Sequence, residues 1–174
     1  FTIRNRIFKE NVNYRLYATV NIKKGTIYMA HFISSQNLFN FIKSAFIATG
    51  FSNRDADITA DLMVKADISG QDGHGIFRLP QYIKRLQDGG MNPKPKFQIL
   101  KERSATALID GDNGIGHLVM RHAADIAIEK AQKSGVAWVG ARMSNHAGPA
   151  SLYTRYILER NMIGIYVAVG SANH

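Results

Sequence analysis

The 174-residue chain contains no cysteine, which removes disulfides, thiolate nucleophiles and thiolate metal sites together and suits a reducing compartment. Only four prolines interrupt it, too few for a proline-rich linker. Its apolar runs last a few residues each, short of the ~20 that a membrane-spanning helix needs. With 45% hydrophobic and 20% charged residues, the composition also excludes collagen-like, low-complexity and disordered readings. A chain of this length can bury one sizeable core or two small ones.

What is plentiful is positive charge, +9 at pH 7, which alone would point to nucleic acid or an anionic surface. Its distribution argues otherwise. Residues 1–28 hold Arg4, Arg6, Lys9, Arg15, Lys23 and Lys24 against the single acid Glu10, whereas residues 29–174 hold 16 basic and 12 acidic residues. A basic nucleic-acid-binding module would therefore have to use the first 28 residues, and its binding would fall steeply with salt. That prefix has neither helical nor alternating periodicity, and no secretory-signal pattern. Orderly amphipathic patterning starts just after Met29. The expected organisation is a non-native or disordered basic prefix over 1–28, a helical segment over 29–95 and the first part of an α/β domain over 96–174.

Ser35 can cap a helix running to about Thr49, with Leu38, Phe39, Ile42, Ala45 and Phe46 on one face and Gly50 as its stop. Ser52 and Asp55 have capping-box spacing ahead of a second helix that ends at Gly70. A loop with three glycines, Gly70 to Gly75, precedes a third helix with Pro80 in its first turn and Gly89-Gly90 as its stop. Beyond Pro93 and Pro95 the pattern changes. Phe97–Leu100, Ala105–Ile109, Val136–Ala141 and Ile163–Val169 read as strands, separated by helices over about Ile115–Lys133 and Pro149–Arg160. The expected fold class is α/β: an N-terminal helical segment, then a mixed sheet with crossover helices. A final strand followed only by Gly170 to His174 gives the expectation of a truncated chain and an incomplete fold.

Three places could carry chemistry. His74 and Arg78 lie four apart beside the glycine loop, where one helical turn would put both on the same side. Arginine offers a planar fork for a carboxylate and histidine a proton near neutral pH, although the pair could equally just brace the loop. Ser144-Asn-His146-Ala-Gly148 follows a strand and precedes a helix, the place where α/β folds put ligands. There His146 could be a general acid/base, or Ser144 or Asn145 only a helix cap. Asp110-Gly-Asp-Asn-Gly-Ile-Gly116 reads as a strand-to-helix turn using glycine for positive φ, not as a dinucleotide fingerprint. His117 and His122, five apart, fall away from a common helix face, and with no H-E-x-x-H spacing no metal site is expected.

In order along the chain, Ala66-Asp67, Gly73-His-Gly-Ile-Phe-Arg-Leu-Pro-Gln-Tyr82, Gly89-Gly-Met-Asn-Pro93, Asp110–Gly116 and Ser144–Gly148 form a series that resembles the malate/L-lactate dehydrogenase family. This family includes sulfolactate and ureidoglycolate dehydrogenases and is unrelated to the Rossmann lactate and malate enzymes. The resemblance covers residues 36–174 and implies the N-terminal half of an oxidoreductase. Its expected cofactor is NAD or NADP and its substrate a small 2-hydroxy or 2-oxo acid. It also implies a cytoplasmic homodimer, no membrane association and no nucleic-acid partner. By motif, His146 and His74 become the catalytic residues, and Arg78, His74 and Asn145 the substrate-binding ones. Ser171 and Gly148 would lie at the cofactor. One departure stands beside the first histidine: the family commonly has serine where this chain has Gly73. An inactive dehydrogenase half that only associates with a partner is the other reading.

Overall fold

The computed structural model describes residues 13–22 and 25–169, with side chains from Ile33 onward. Two strands come first, β1 (Asn13–Ile22) and β2 (Gly25–Ser34), paired antiparallel from Asn13↔Ser34 to Ile22↔Gly25. The sequence reading expected no regular element before Met29, so this hairpin differs from it. Ladder hydrogen bonds run through the backbone and do not require side-chain alternation.

Helix α1 (Ser35–Ala48) is capped by Ser34, one residue earlier than the pattern indicated, with its hydroxyl accepting from the Asn37 N–H. Helix α2 (Asn53–Ile68) opens on the expected capping box: Ser52 Oγ accepts from the Asp55 N–H at 3.1 Å and donates to Asp55 Oδ2 at 2.7 Å. Two 3-10 turns, Asp72–His74 and Ile76–Arg78, lead into α3 (Leu79–Gln87), where Pro80 occupies the first turn. Leu38, Ile42 and Phe46 of α1 pack with Ala60, Met63 and Val64 of α2 and Leu79, Tyr82 and Leu86 of α3. Ile115 and Leu118 join the same cluster, so the helical segment packs directly on the start of the next helix. Burying each large aliphatic side chain there stabilises the fold by about 1.5–3 kcal/mol.

The second half holds β3 (Gln98–Glu102), β4 (Thr106–Gly114), α4 (Gly116–Ser134), β5 (Trp138–Ser144) and α5 (Ser151–Leu158). Strand β4 is central, antiparallel to β3 and parallel to β5. Helix α4 is the crossover between the parallel pair and ends at Gly135 in the left-handed region, φ 79°. The mixed sheet and crossover helix match the expected class.

Two expectations are corrected here. The Asp110–Gly116 segment is not a turn after the strand: β4 continues through it to Gly114, with an irregularity between Asp110 and Gly114. Its positive φ values fall on Asp112 (49°) and Asn113 (55°) rather than on glycine. Gly111 and Gly116 serve close approach instead. A Cβ at Gly111 would lie 2.8 Å from Met143 O and Val119, and one at Gly116 would overlap the backbone of Asn145 and His146. The second correction is Ile163–Val169, which joins no ladder. Tyr166 stacks on Tyr153 at 5.4 Å, and Gly164 lies against Ile157. The segment is thereby held to α5, and a cavity of about 660 Å³, lined by residues such as Met120, Ala127, Trp138 and Val139, lies beside it. Ile163 and Ile165 remain exposed.

Gly116→Ala therefore tests how tightly the loop after β5 sits on the start of α4. Overpacking of this kind costs about 1–3 kcal/mol, to be read as a lowered urea midpoint. An unchanged midpoint would show that the loop yields freely.

Candidate functional site

The loop that follows β5 is pinned to β4 before it reaches His146. The Asn145 N–H donates to Gly114 O at 3.1 Å. Its side-chain Nδ2 lies 2.9 Å from Asn113 O, 3.0 Å from Asn113 Oδ1 and 3.0 Å from Gly114 O. The Asn145 amide nitrogen is thus engaged by the protein, and these contacts hold the loop in place. Gly148 follows with φ 71°, and a Cβ there would stand 2.8 Å from His117 Nε2. That imidazole therefore occupies the side of Gly148 on which a side chain would begin.

The glycine loop arrives from the other side. Asp67, at the end of α2, accepts the Ile76 N–H at 2.9 Å. Gly75 passes so close over this carboxylate that any side chain at 75 would overlap it. Burial, with the Asp72 charge adding, pushes the Asp67 carboxyl up to about 6, against the opposing pull of the Ile76 hydrogen bond. Gln71 Nε2 donates to Ser151 Oγ at 2.9 Å, and Arg155 donates to Ser69 Oγ at 3.1 Å. These bonds tie the loop to α5, on the far side of His146.

The two halves meet at a pair of rings. His74 and His146 stack with centroids 5.3 Å apart and planes 14° apart. His74 Nδ1 is buried without a hydrogen-bond partner in the protein. The Tyr82 hydroxyl lies 2.5 Å from His146 Nδ1. Burial raises the Tyr82 phenol well above its ordinary value, with the Arg78 charge opposing. The edge of His117 meets the Tyr82 ring at 5.8 Å and 79°. His117 is fully buried, both of its ring nitrogens lack partners, and burial drives it down to about 3, with His146 and His74 adding to the effect. It is a neutral imidazole at any ordinary pH.

The expected residues are accordingly brought together in part. His74 and His146 share one site. Arg78 is near enough to act on Tyr82, but it sits on its own 3-10 turn, with Nε donating to Gly73 O at 2.9 Å and NH1 to Gln81 Oε1 at 2.9 Å. It braces the loop as well as carrying charge. Ser171 lies outside the described residues. Tyr82, His117 and Asp67 were not among the expected site residues. Tyr82 lies four residues beyond Arg78, a spacing that places it near the loop but carries no mark of a partner. Among the described residues no group of three or more His, Asp or Glu side chains is arranged to hold a metal ion, and no helix is long and apolar enough to cross a membrane.

Stacked imidazoles with a phenol on one of them and an arginine one turn away make a proton-transfer site suited to a small anion, set at the carboxyl end of a parallel strand. Comparison with known proteins agrees with that class. The family model described as malate/L-lactate dehydrogenase matches residues 33–173. The chain is 48% identical over 118 residues to L-sulfolactate dehydrogenase of Methanocaldococcus jannaschii, covering 68% of this chain and 34% of that protein. It is 40% identical over 133 residues to malate dehydrogenase of Pyrococcus abyssi, covering 76% and 37%. The solved malate dehydrogenase of Pyrococcus horikoshii superposes with a TM-score of 0.72 at 39% identity, over 74% of this chain and 37% of that one. The chain belongs to the malate/L-lactate dehydrogenase family and spans about a third of the length of the curated relatives it matches.

The Asp67 carboxyl yields a prediction with a definite sign. Its folded-state value of about 6 lies above the unbound 3.8, so the folded state holds this proton more tightly than the unfolded chain. The stability it contributes is full below about 3.8 and is lost as pH rises through 6. Asp67→Asn, neutral throughout, should gain in urea midpoint relative to the parent between pH 5 and pH 7. A gap that stays constant over that range would overturn the assignment.

Proposed function

We propose that this chain carries the acid–base and carboxylate-binding part of an NAD(P)-dependent dehydrogenase acting on small 2-hydroxy or 2-oxo acids. The observation that carries the reading is the convergence of His74 and His146 at 5.3 Å, from segments that lie far apart along the chain. A 2-oxo acid presents one oxygen that needs a proton and one carboxylate that needs a cation. His146 is assigned the proton, and His74 lies beside it as a second imidazole for the substrate oxygens. Arg78 is assigned the carboxylate, which its guanidinium can meet with two parallel hydrogen bonds.

The cofactor is a different matter. Gly148 is half-exposed and stays in the proposal as a cofactor contact through its backbone, since the side where a Cβ would stand is taken by His117. NAD or NADP enters the proposal through family membership, and no step is built on it. The same membership supports a homodimer in the cytoplasm. It also goes with residues 29–95 as an N-terminal helical segment, apart from the β2 residues up to Ser34, and residues 96–174 as the first part of the nicotinamide-binding domain.

In the intact enzyme His146→Ala should lower kcat by about 10²–10⁴-fold, the usual contribution of a positioned proton donor. The assay is nicotinamide absorbance with a panel of 2-oxo acids, and a loss below about threefold would remove His146 from the reaction. Arg78→Lys should chiefly raise KM, because a point charge does not reproduce the fork. Unchanged kcat/KM would refute the clamp.

A further inference from the structure

Among the described residues, two hydrogen-bonding groups face His146 Nδ1. One is the Gly148 N–H at 3.4 Å, a backbone group that can only donate. The other is the Tyr82 hydroxyl at 2.5 Å, which can donate or accept. A backbone N–H facing Nδ1 disfavours a proton on that nitrogen, so in the neutral ring the phenol donates and the ring proton sits on Nε2. The phenol is itself fixed. Tyr82 is 2% exposed within the core of α1, α2 and α3, and its ring is met edge-on by His117.

We propose that Tyr82 is a positioning residue that keeps hold of His146 Nδ1 in both protonation states of the ring, so that Nε2 is the nitrogen that exchanges a proton with the substrate. This rests on the acid–base role given to His146 above. A hydroxyl suits the task where a carboxylate or an amide N–H would not. It donates to Nδ1 of the neutral imidazole and, after rotating about its C–O bond, accepts from Nδ1–H of the imidazolium. The proton account closes. Before reduction of a 2-oxo acid, one solvent proton adds at Nδ1, and Tyr82 turns from donor to acceptor. The Nε2–H bond then breaks as the substrate O–H bond forms, the hydride needed at the carbonyl carbon being what a bound nicotinamide would supply. The ring is left neutral with its proton on Nδ1, still bonded to the Tyr82 oxygen. Exchange with solvent, open to the exposed His146, restores the Nε2–H form. One proton and one hydride are consumed per turnover, as the reduction requires.

Among the described residues, the charged and titratable groups around this ring are His74 on the glycine loop, Arg78 and Tyr82 at and within α3, and His117 on α4. With His117 held neutral by burial, removing the phenol oxygen is a clean change. Nitrogen-15 resonances of the ring, in the full chain labelled at histidine and assigned with His146→Gln, read both tautomer and titration. The parent should show neutral His146 protonated at Nε2. Tyr82→Phe keeps the packing and removes the oxygen. It should erode that tautomer preference and lower the ring's midpoint by about half a unit, because a hydrogen bond to the charged form is worth more than one to the neutral form. A role confined to packing would leave both readings where they were. Parent His146 protonated at Nδ1 when neutral, or unaltered titration in the variant, would overturn the proposal. Should Tyr82→Phe not fold, 3-fluorotyrosine incorporated throughout the chain keeps the shape and makes the phenol more acidic. The midpoint should again fall, and no movement would overturn the proposal. If these readings hold while His146→Ala leaves turnover intact, it is the dehydrogenase reading that falls and not the contact.

Discussion

The site depends on one side-chain amide. Asn145 holds the loop after β5 against the Asn113-Gly114 backbone, and this contact fixes where His146 can stand. The backbone it grips is itself unusual, since Asp112 and Asn113 both lie in the left-handed region, where only short polar side chains sit readily. Asp112 meets part of that cost by accepting from Asn92 Nδ2 at 2.8 Å and from the Lys96 N–H at 2.9 Å. The connection between the helical segment and the sheet is thus joined to the distortion that seats the histidine loop.

The opposite wall is built on a different principle. The His74 loop is short of side-chain packing, with both Gly73 and Asp72 exposed, and it is held by a carboxylate lodged beneath its backbone. Asp67 stands half-buried at the end of α2, and a glycine at 75 is what lets the chain pass over it. Rigidity on the His146 side comes from an amide network, whereas on the His74 side it comes from one acid whose protonation falls within the working range of pH. Between them, the phenol of Tyr82 belongs to the hydrophobic core by its ring and to the site by its oxygen.

Much of this was legible in the sequence wherever local chemistry alone decides. Ser52 and Asp55 announce their capping box, and Gly50, Gly70 and Gly135 stop helices with the positive φ that only glycine takes cheaply. The joint role of His74 and His146, by contrast, was implied only by the family resemblance of their motifs. What was not legible depends on partners remote in sequence. Tyr82 sits where the helical period requires a core residue, and nothing local marks its hydroxyl as facing a histidine 64 positions away. His117 was weighed only as a metal ligand and set aside because residues five apart on a helix do not share a face; its neighbours are Tyr82 and Gly148, on other elements. Residues 163–169 have the composition of a strand, but a ladder needs a neighbouring edge within reach, and stacking on Tyr153 holds the segment elsewhere. In Asp110–Gly116 the glycines suggested a turn, whereas they are there to let Val119 and the loop after β5 come close.

That distribution of glycines bears on where side chains could be added beside the histidine site. Positions 111, 116 and 148 are closed to enlargement, because protein already fills the volume a methyl group would need. Gly73 is the opposite case, with open space within 4 Å of where a side chain would begin. It abuts His74, and its carbonyl receives the Arg78 Nε–H. A small side chain can therefore begin there without moving the main chain, which makes residue 73 the natural handle for reshaping the wall beside His74.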